Sequence, residues 1–289
     1  MQLVVISGKG GTGKTTIASS FAYLSDSDLI KIDCDVDASN LHLMFDGEDI
    51  EKSDFYGAKA AEILSDKCIN CNKCIETCRF GAIRFINGRT LIEPLKCEGC
   101  GACVLVCEEK AITLDHEITG TTLITKTQNG LISRAEMIPG AEGSGKLVTK
   151  VRQNANIIGS NKESDYIIDG SPGVGCAVMA SITGCDYCVI VTEPTQSGFE
   201  DFKRIYELTT YFGVKGFAII NKYDINPLIS DQIKKFCSDV NMPVIGKIPF
   251  DKLVGESINA GCPIVSYEQS IAGQSIIKIW NEFKNRTGE

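Results

Sequence analysis

The sequence lacks an excess of positive charge, a long hydrophobic run and a secretory signal. Its 29 Lys and Arg residues stand against 37 Asp and Glu residues, which gives a formal net charge of −8 at pH 7. This acidity argues against a nucleic-acid partner, because nucleic-acid phosphates select basic surfaces. No segment approaches the roughly 20 apolar residues that span a bilayer, so membrane binding is not expected. We therefore expect a cytoplasmic protein whose cysteines stay reduced and form no disulfides.

Cysteine, by contrast, is abundant: the chain has 14, and eight of them form two runs with identical spacing. The runs are Cys68, Cys71, Cys74 and Cys78, and Cys97, Cys100, Cys103 and Cys107. Both read C-x2-C-x2-C-x3-C, the spacing with which bacterial-type ferredoxins hold [4Fe–4S] clusters. Zinc also binds C-x2-C pairs, but it favours two pairs separated by a longer spacer. The spacing therefore predicts two iron–sulfur clusters.

The two runs are expected to exchange one ligand. In two-cluster ferredoxins the fourth cysteine of each run binds the other cluster. One predicted ligand set is thus Cys68, Cys71, Cys74 and Cys107, and the other is Cys97, Cys100, Cys103 and Cys78. Arg79 and Glu108 stand where a proline usually follows the fourth cysteine. Because proline is not a ligand, ligation should survive, while the order of the two reduction potentials stays open.

A glycine-rich segment near the start predicts a phosphate-binding loop. An apolar run at 3–6 precedes it and a helical stretch follows it, which is the context that such loops require. Its glycines let backbone N–H groups converge on phosphate oxygens. Lys14 should reach the β- and γ-phosphates, and the Thr15 hydroxyl should bind Mg²⁺ of MgATP. The predicted nucleotide-binding residues of this loop are Gly8, Lys9, Gly10, Gly11, Thr12, Gly13, Lys14, Thr15 and Thr16.

A second near-match to this motif occurs at 140–146. Leu147 replaces the Ser or Thr that would bind magnesium. We also expect no apolar strand before it, so we interpret the segment as a loop without a phosphate-binding role.

Short apolar runs recur along the chain and alternate with helical stretches. They lie at 3–6, 29–32, 166–168, 189–191, 217–220 and 244–248. Such unbroken runs are typical of strands buried on both faces of a parallel sheet. The pattern predicts an α/β fold, a doubly wound and mostly parallel sheet of the P-loop NTPase type, with a small inserted α+β domain of the bacterial ferredoxin type. The predicted ATPase domain is discontinuous, at 1–59 and 116–289, and the insert occupies 60–115.

Lys9, followed by Gly10 and Gly11, resembles the deviant Walker A motif of the MinD/ParA superfamily. That group includes the nitrogenase iron protein and the Mrp-type iron–sulfur carriers. The resemblance continues in the segments 33–41, 169–173, 192–195, 221–222 and 248–251. It implies that Lys9 reaches the nucleotide of a partner subunit, in a homodimer or a heterodimer with a paralogue that forms on ATP binding. It also implies that Asn221, Pro249 and Asp251 lie near the adenine.

Three aspartates are candidates for handling magnesium and water. Asp33 and Asp35 are two positions apart, so in extended backbone they face the same side. We assign support of the metal's water shell to Asp33 and orientation of the attacking water to Asp35. Asp169 matches the Walker B position that holds Mg²⁺, and Gly173 could donate its N–H to the γ-phosphate. The predicted catalytic residues are Lys9, Lys14, Asp35 and Asp169, and capping of strand ends is the alternative role for the aspartates.

Three cysteines and the amphipathic stretch near the end of the sequence each allow two interpretations. Cys176 lies seven residues after Asp169, the offset of a cluster ligand in the nitrogenase iron protein, but we favour simple packing. Cys185 and Cys188 form a further C-x2-C pair of the kind that Mrp-type carriers use. In an extended strand these two would point to opposite faces, so we favour packing there as well. The amphipathic stretch at 276–286 could bind membrane, as in MinD, or cover the sheet, and we favour the sheet.

Two classes of function remain. In the first, the protein is an iron–sulfur ATPase that couples MgATP binding and hydrolysis to electron transfer from two [4Fe–4S] clusters to a redox or metallocofactor-acceptor protein. In the alternative, it is a Mrp-type carrier or scaffold that assembles a cluster and hands it to a target. Fully ligated ferredoxin quartets favour the first class.

Overall fold

Strands and helices alternate over most of the chain in this computed structural model, which describes residues 1–25, 29–159 and 164–288. The strands are β1 (Gln2–Ser7), β2 (Ile30–Asp33), β3 (Gly47–Phe55), β4 (Ala58–Ile63), β5 (Ile83–Ile86), β6 (Arg89–Ile92), β7 (Ile112–Glu117), β8 (Gly120–Thr127), β9 (Gly130–Met137), β10 (Tyr166–Pro172), β11 (Tyr187–Thr192), β12 (Lys215–Asn221) and β13 (Val244–Ile248). The helices are α1 (Lys14–Leu24), α2 (Lys73–Thr77), α3 (Ala102–Val106), α4 (Ser144–Gly159), α5 (Cys176–Ile182), α6 (Gln196–Tyr211), α7 (Pro227–Asp239), α8 (Leu253–Asn259) and α9 (Ile271–Thr287). Short 3₁₀ helices cover Leu41–Met44, Pro94–Lys96 and Ile264–Ser266.

The chain divides into two compact units. The sheet unit comprises Met1–Lys52, Thr122–Glu136 and Gly145–Glu289, and the cysteine unit comprises Ser53–Thr121 and Met137–Ser144. The predicted insert at 60–115 lies within Ser53–Thr121, the first segment of the cysteine unit. The second segment, Met137–Ser144, was not part of the predicted insert.

A nine-stranded sheet organises the sheet unit, in the order β13-β12-β11-β1-β10-β2-β9-β8-β3. The neighbours from β13 to β9 pair in parallel. Only two residues join β8 to β9, a connection that antiparallel but not parallel strands allow. The sheet is therefore mostly parallel, and the six strands predicted from apolar runs are confirmed. Strands β3, β8 and β9 were not predicted, and β3 is exposed along nearly its whole length at the edge of the sheet.

The last helix, α9, covers the sheet. Its residues Ile276, Trp280 and Phe283 are buried with the α1 and strand side chains of the main core. Trp280 stacks on Phe283 with ring centroids 5.5 Å apart and lies 4.8 Å from the ring of Phe21 on α1. The predicted packing of this segment on the sheet is confirmed, because the apolar face of α9 is buried. Within the described part of the chain, none of the helices is both long and apolar enough to cross a membrane.

The cysteine unit is built from two small antiparallel pairs, β4 with β7 and β5 with β6, together with α2 and α3. Asn87 and Gly88, at the turn between β5 and β6, have φ of 51° and 80°. Two successive positive φ angles, in an Asn-Gly pair, are typical of the tight type I′ hairpin turn. The hydrophobic core cluster of the unit contains Ala61, Cys74, Ile83, Cys103 and Ile112.

The prediction of a loop over 140–146 was only partly right. Strand β9 does precede this segment, and α4 already begins at Ser144. The strand was missed because its sequence mixes polar and apolar residues.

Candidate functional site

The glycine-rich loop lies between β1 and α1, as predicted. Gly11 and Gly13 have φ of 77° and 90°, which residues with a side chain rarely adopt. A Cβ on Gly13 would also lie 2.6 Å from the Asn221 amide nitrogen, and one on Gly8 would lie 2.2 Å from the Cβ of Asp201. Close packing thus requires glycine at position 8, turn geometry favours it at position 11, and both apply at position 13.

Side chains on either side hold the loop in place. The Asn221 amide donates a hydrogen bond to the Thr12 carbonyl (2.8 Å), and the Ser7 hydroxyl donates to the Lys9 carbonyl (2.7 Å). Lys14 is only 5% exposed and lies at the first position of α1. Asn221, predicted near the adenine, therefore also fixes the loop that would hold the phosphates.

Asp33 is fully buried at the end of β2, and its carboxylate accepts hydrogen bonds from the segment that follows β2. One oxygen accepts the Asp35 N–H (3.0 Å), while the other accepts the Ser39 hydroxyl (2.9 Å) and the Leu41 N–H (3.0 Å). Burial raises the pKa of Asp33 to about 6, although these hydrogen bonds oppose the shift. Asp33 thus caps the end of β2 and holds the loop that presents Asp35, while its support of the metal's water shell stays a prediction.

Asp35 is less buried and remains a candidate to orient water. Burial raises its pKa, and the nearby Lys14 ammonium opposes that shift. A carboxylate near Lys14 is close to where the β- and γ-phosphates would lie.

Asp169 is 1% exposed, and neither of its carboxylate oxygens has a hydrogen-bond partner among the described residues. Burial raises its pKa to about 8, with a contribution from Asp33, while the Thr15 hydroxyl and Lys14 act in the opposite direction. A buried carboxylate without a partner, beside a hydroxyl, fits a Mg²⁺ ion, which prefers oxygen ligands. Thr15 and Asp169 are the residues that would hold it. Strand β10 continues beyond Asp169 to Pro172.

Gly173 does not present a free N–H. Its φ is 95°, and its N–H donates to the Ser7 carbonyl at 3.0 Å, next to the paired positions Ser7 and Pro172 of β1 and β10. The predicted contact with a γ-phosphate would require this bond to break first.

A cavity of about 440 Å³ lies beside the loop. Its lining includes Gly11, Gly13, Thr16, Asn221, Lys222, Pro249, Phe250, Asp251, Ala272 and Ile276. The size and the apolar walls suit a nucleotide base. The sequence did not indicate the two α9 residues, because an amphipathic pattern shows that a face is buried but not which cavity it borders.

Asp251 shapes this cavity without offering a free carboxylate. Its oxygens accept the Leu253 N–H (3.0 Å), the Ser270 hydroxyl (2.6 Å) and the Ala272 N–H (3.2 Å). Burial alone would raise the pKa of Asp251, but these hydrogen bonds hold it below the usual value. It therefore anchors the start of α9 at the wall of the cavity.

Lys9, predicted to reach a partner's nucleotide, is bound to its own chain. Its ammonium donates to the Thr195 hydroxyl at 3.3 Å and lies 3.8 Å from a Glu193 carboxylate oxygen. Contact with a second subunit would require both interactions to be released.

Each of two cavities in the cysteine unit is lined by four cysteines. One is lined by Cys68, Cys71, Cys74 and Cys107, and the other by Cys78, Cys97, Cys100 and Cys103. These are the two crossed ligand sets predicted from the spacing. As placed, no group of three His, Cys, Asp or Glu side chains within residues 1–25, 29–159 and 164–288 is gathered tightly enough for a single metal ion. Four thiols around a cavity are nonetheless the donor set that a [4Fe–4S] cluster uses.

The two halves of the cysteine unit repeat each other locally. Asn70 and Gly99 have φ of 55° and 57°, and each lies between the first two cysteines of its run. Cys74 and Cys103 are both buried on five-residue helices. Burial raises the pKa of Cys74, and the neighbouring Cys68 and Cys71 thiols add to the shift.

The remaining cysteines are mostly packing residues. Cys185 and Cys188 are buried, and the Cys185 thiol donates to the Ser181 carbonyl at 3.3 Å. Burial raises the pKa of Cys185 to about 11, which disfavours the thiolate that a metal needs. Cys176, in contrast, is exposed at the first position of α5.

The sequence matches the family model described as the CobQ/CobB/MinD/ParA nucleotide binding domain, over residues 3–264. The chain belongs to this family. A relative from Methanocaldococcus jannaschii, "Uncharacterized protein MJ0578", is 34% identical over 98% of this chain and 96% of its own length. Among solved structures, the septum site-determining protein MinD of Pyrococcus horikoshii, complexed with Mg-ADP, aligns with a TM-score of 0.58 at 18% identity, covering 99% of this chain and 97% of that one. This likeness shows the fold, and the predicted MinD/ParA ATPase family is confirmed.

Two shorter matches carry iron–sulfur or redox descriptions. One component of an ion-translocating oxidoreductase complex of Methanosarcina acetivorans is 49% identical over 16% of this chain and 18% of its own length. An iron-sulfur cluster carrier protein of Pyrococcus horikoshii is 25% identical over 50% of this chain and 54% of its own length. The relation to the nitrogenase iron protein stays a prediction.

Proposed function

We propose that this family ATPase is an iron–sulfur protein, which couples MgATP binding and hydrolysis to electron transfer from two [4Fe–4S] clusters held by the cysteine unit. The observation that carries the proposal is the crossed lining of the two cavities. Each contains three cysteines of one run and the fourth of the other. Packing alone would not require this exchange, whereas a two-cluster ferredoxin does.

On the nucleotide side, the chain's own residues account for binding and hydrolysis. Loop N–H groups and Lys14 would hold the phosphates, and the cavity beside Asn221 would hold the base. Thr15 and Asp169 would bind Mg²⁺, and Asp35 would orient the attacking water. Release of Gly173 from Ser7 and of Lys9 from Glu193 would accompany ATP binding and the formation of a homodimer or a heterodimer with a paralogue.

On the cysteine side, bound clusters would supply one-electron chemistry. The eight thiols would hold the clusters and the small hydrophobic interior would limit the access of water to them. The proposed partner is a redox or metallocofactor-acceptor protein.

Anaerobic isolation followed by iron and sulfide analysis tests the proposal. We expect about eight iron and eight sulfide per chain, as two cubane clusters require. Reductive titration followed by electron paramagnetic resonance, with and without MgATP, should show that nucleotide shifts a potential or a rate of electron transfer. Asp169→Asn should abolish that shift while leaving the iron content unchanged.

A matched pair of variants controls the cluster assignment. Cys71→Ser should lower the iron content, whereas Cys262→Ser, an exposed cysteine of the sheet unit, should not. Isolated protein that contains zinc in place of iron would contradict the proposal.

The alternative, a cluster carrier, is favoured by the match to the Pyrococcus horikoshii carrier protein and by the exposed thiol of Cys176. In that case the holo-protein would transfer iron and sulfide to an apo-ferredoxin, and Cys176→Ser would slow the transfer. Retention of all iron by the wild type after mixing would exclude the carrier role.

A further inference from the structure

Glu193 lies between two lysines of the nucleotide site. One carboxylate oxygen is 2.6 Å from the Lys222 ammonium, and the other is 3.8 Å from the Lys9 ammonium. Lys9 belongs to the phosphate loop, while Lys222 lines the base cavity. The Glu193 side chain is 16% exposed and both lysine side chains are 34% exposed, so the three charges meet in a partly dehydrated setting.

The backbone around Glu193 is fixed. The Thr195 N–H donates to the Glu193 carbonyl at 2.8 Å, and the Thr195 side chain caps α6 by accepting the Gly198 N–H at 3.0 Å. A Cβ on Gly198 would lie 2.6 Å from the Glu193 carbonyl oxygen, so helix and carbonyl are packed closely. A carboxylate on a fixed backbone can act as a stationary anchor for two flexible lysines.

The two lysines share a single negative charge. The Lys222 pair has the short distance of a charge-assisted hydrogen bond, whereas the Lys9 pair is a looser ion pair. A change that moves the Lys222 ammonium away leaves the Glu193 carboxylate to pair with Lys9 alone, and this strengthens the Lys9–Glu193 ion pair. Loss of Glu193 releases both lysines together.

We propose that Glu193 is a positioning residue that holds Lys9 on its own chain in competition with Lys222. This inference rests on the nucleotide half of the proposed function and not on the clusters. It gives Lys9 two positions, one held by Glu193 and Thr195 and one free to reach a second subunit. Because Lys222 lines the base cavity, the balance between these two positions depends on a residue of that cavity.

Competitive acetylation of the nucleotide-free full chain, followed by mass spectrometry of each lysine, tests this proposal. Glu193→Gln should raise the labelling rate of both Lys9 and Lys222 by about two- to fivefold, the range that partly exposed ion pairs allow. Lys222→Met should instead lower the labelling rate of Lys9. Opposite effects from two variants of one network would not arise from a general loosening of the fold.

Glu200→Gln is the matched control, because it removes an exposed Glu–Lys pair (2.9 Å, with Lys203) from the adjacent helix α6. It should leave Lys9 labelling unchanged. Glu193→Asp, which keeps the charge, should restore part of the protection of Lys9. Equal labelling of Lys9 in the wild type and Glu193→Gln would overturn the proposal. If Glu193→Gln does not fold, an unchanged or raised Lys9 labelling rate in Lys222→Met would overturn it. The iron content is measured separately, so a failure of the cluster assignment can be distinguished from a failure of the Glu193 proposal.

Discussion

The two units of this chain differ in what their interiors are made of. The sheet unit packs aliphatic and aromatic side chains from the sheet, α1 and α9 into a large hydrophobic core cluster. The cysteine unit has a small core cluster of five residues, two of which, Cys74 and Cys103, are also proposed cluster ligands. Small domains with few buried apolar residues commonly need a metal or a disulfide to stay folded. The first unit can therefore form its site unaided, whereas the second should depend on what its thiols bind.

Removal of iron should produce the largest effect on folding, and this effect should differ between the two units. We expect that anaerobic treatment with a chelator abolishes the protection of backbone amides in the cysteine unit against hydrogen exchange, because binding of the proposed clusters would be coupled to folding there. Amides of β1 and β11 in the sheet unit should keep their protection, since their core contains no proposed ligand. Unchanged protection in both units would show that the thiols act only as packing groups and would remove the contrast between the units.

Asp169→Asn should affect the function of the sheet unit without harming its fold. We expect ATP turnover to fall by about a hundredfold or more, the order seen when a group that stabilises charge in a transition state is removed. Without Mg²⁺ the variant should melt no lower than the wild type, because the natural carboxylate is buried without a partner among the described residues. Turnover assays and thermal melts with EDTA measure the two effects. Glu282→Gln, at an exposed pair on α9, is the control and should change neither.

A smaller effect is expected at Lys31, which is fully buried on β2 in the sheet unit. Its ammonium donates to the Asn129 carbonyl and lies 5.0 Å from the ring centre of Phe45. Burial lowers the pKa of Lys31 from 10.5 to about 8. The folded state therefore binds fewer protons than the unfolded state between these values, and the free energy of unfolding should rise with pH across that window.

Lys31→Met should flatten this rise in stability between about pH 8 and about pH 10.5. Denaturant unfolding at several pH values measures it. Lys215→Met, on the surface-exposed start of β12, should leave the rise intact. A slope that persists in Lys31→Met would mean that other groups produce it.

Features set by neighbouring residues could be predicted from the sequence. The phosphate loop and six parallel strands follow from local patterns, and the crossed cysteine sets follow from spacing. Strand β3 could not be predicted in this way, because an exposed edge strand rich in Glu and Asp has no apolar signature. Nor could the positions of Glu193 between two lysines or of the α9 side chains at the base cavity. Those depend on the packing of segments that are far apart in the chain.

Roles that depend on a hydrogen-bond partner also could not be predicted from the sequence. The sequence predicts that Asp33 and Asp251 lie near the nucleotide, yet it cannot show that their carboxylate oxygens accept hydrogen bonds from loop and helix N–H groups. Likewise, the N–H of Gly173 is bonded to Ser7, a residue more than 160 positions earlier. These hydrogen bonds depend on three-dimensional contacts, and they give Asp33, Asp251 and Gly173 structural contacts in addition to the nucleotide-site roles predicted for them.

Helix α9 gives the protein an optical reporter of its own. The chain has a single tryptophan, Trp280, about one turn beyond Ile276 at the wall of the base cavity. Its ring lies against Phe21, on the helix that starts with Lys14. We therefore expect the fluorescence of this one indole to follow nucleotide entry in unlabelled protein, while the proposed clusters would be followed separately by their visible absorption.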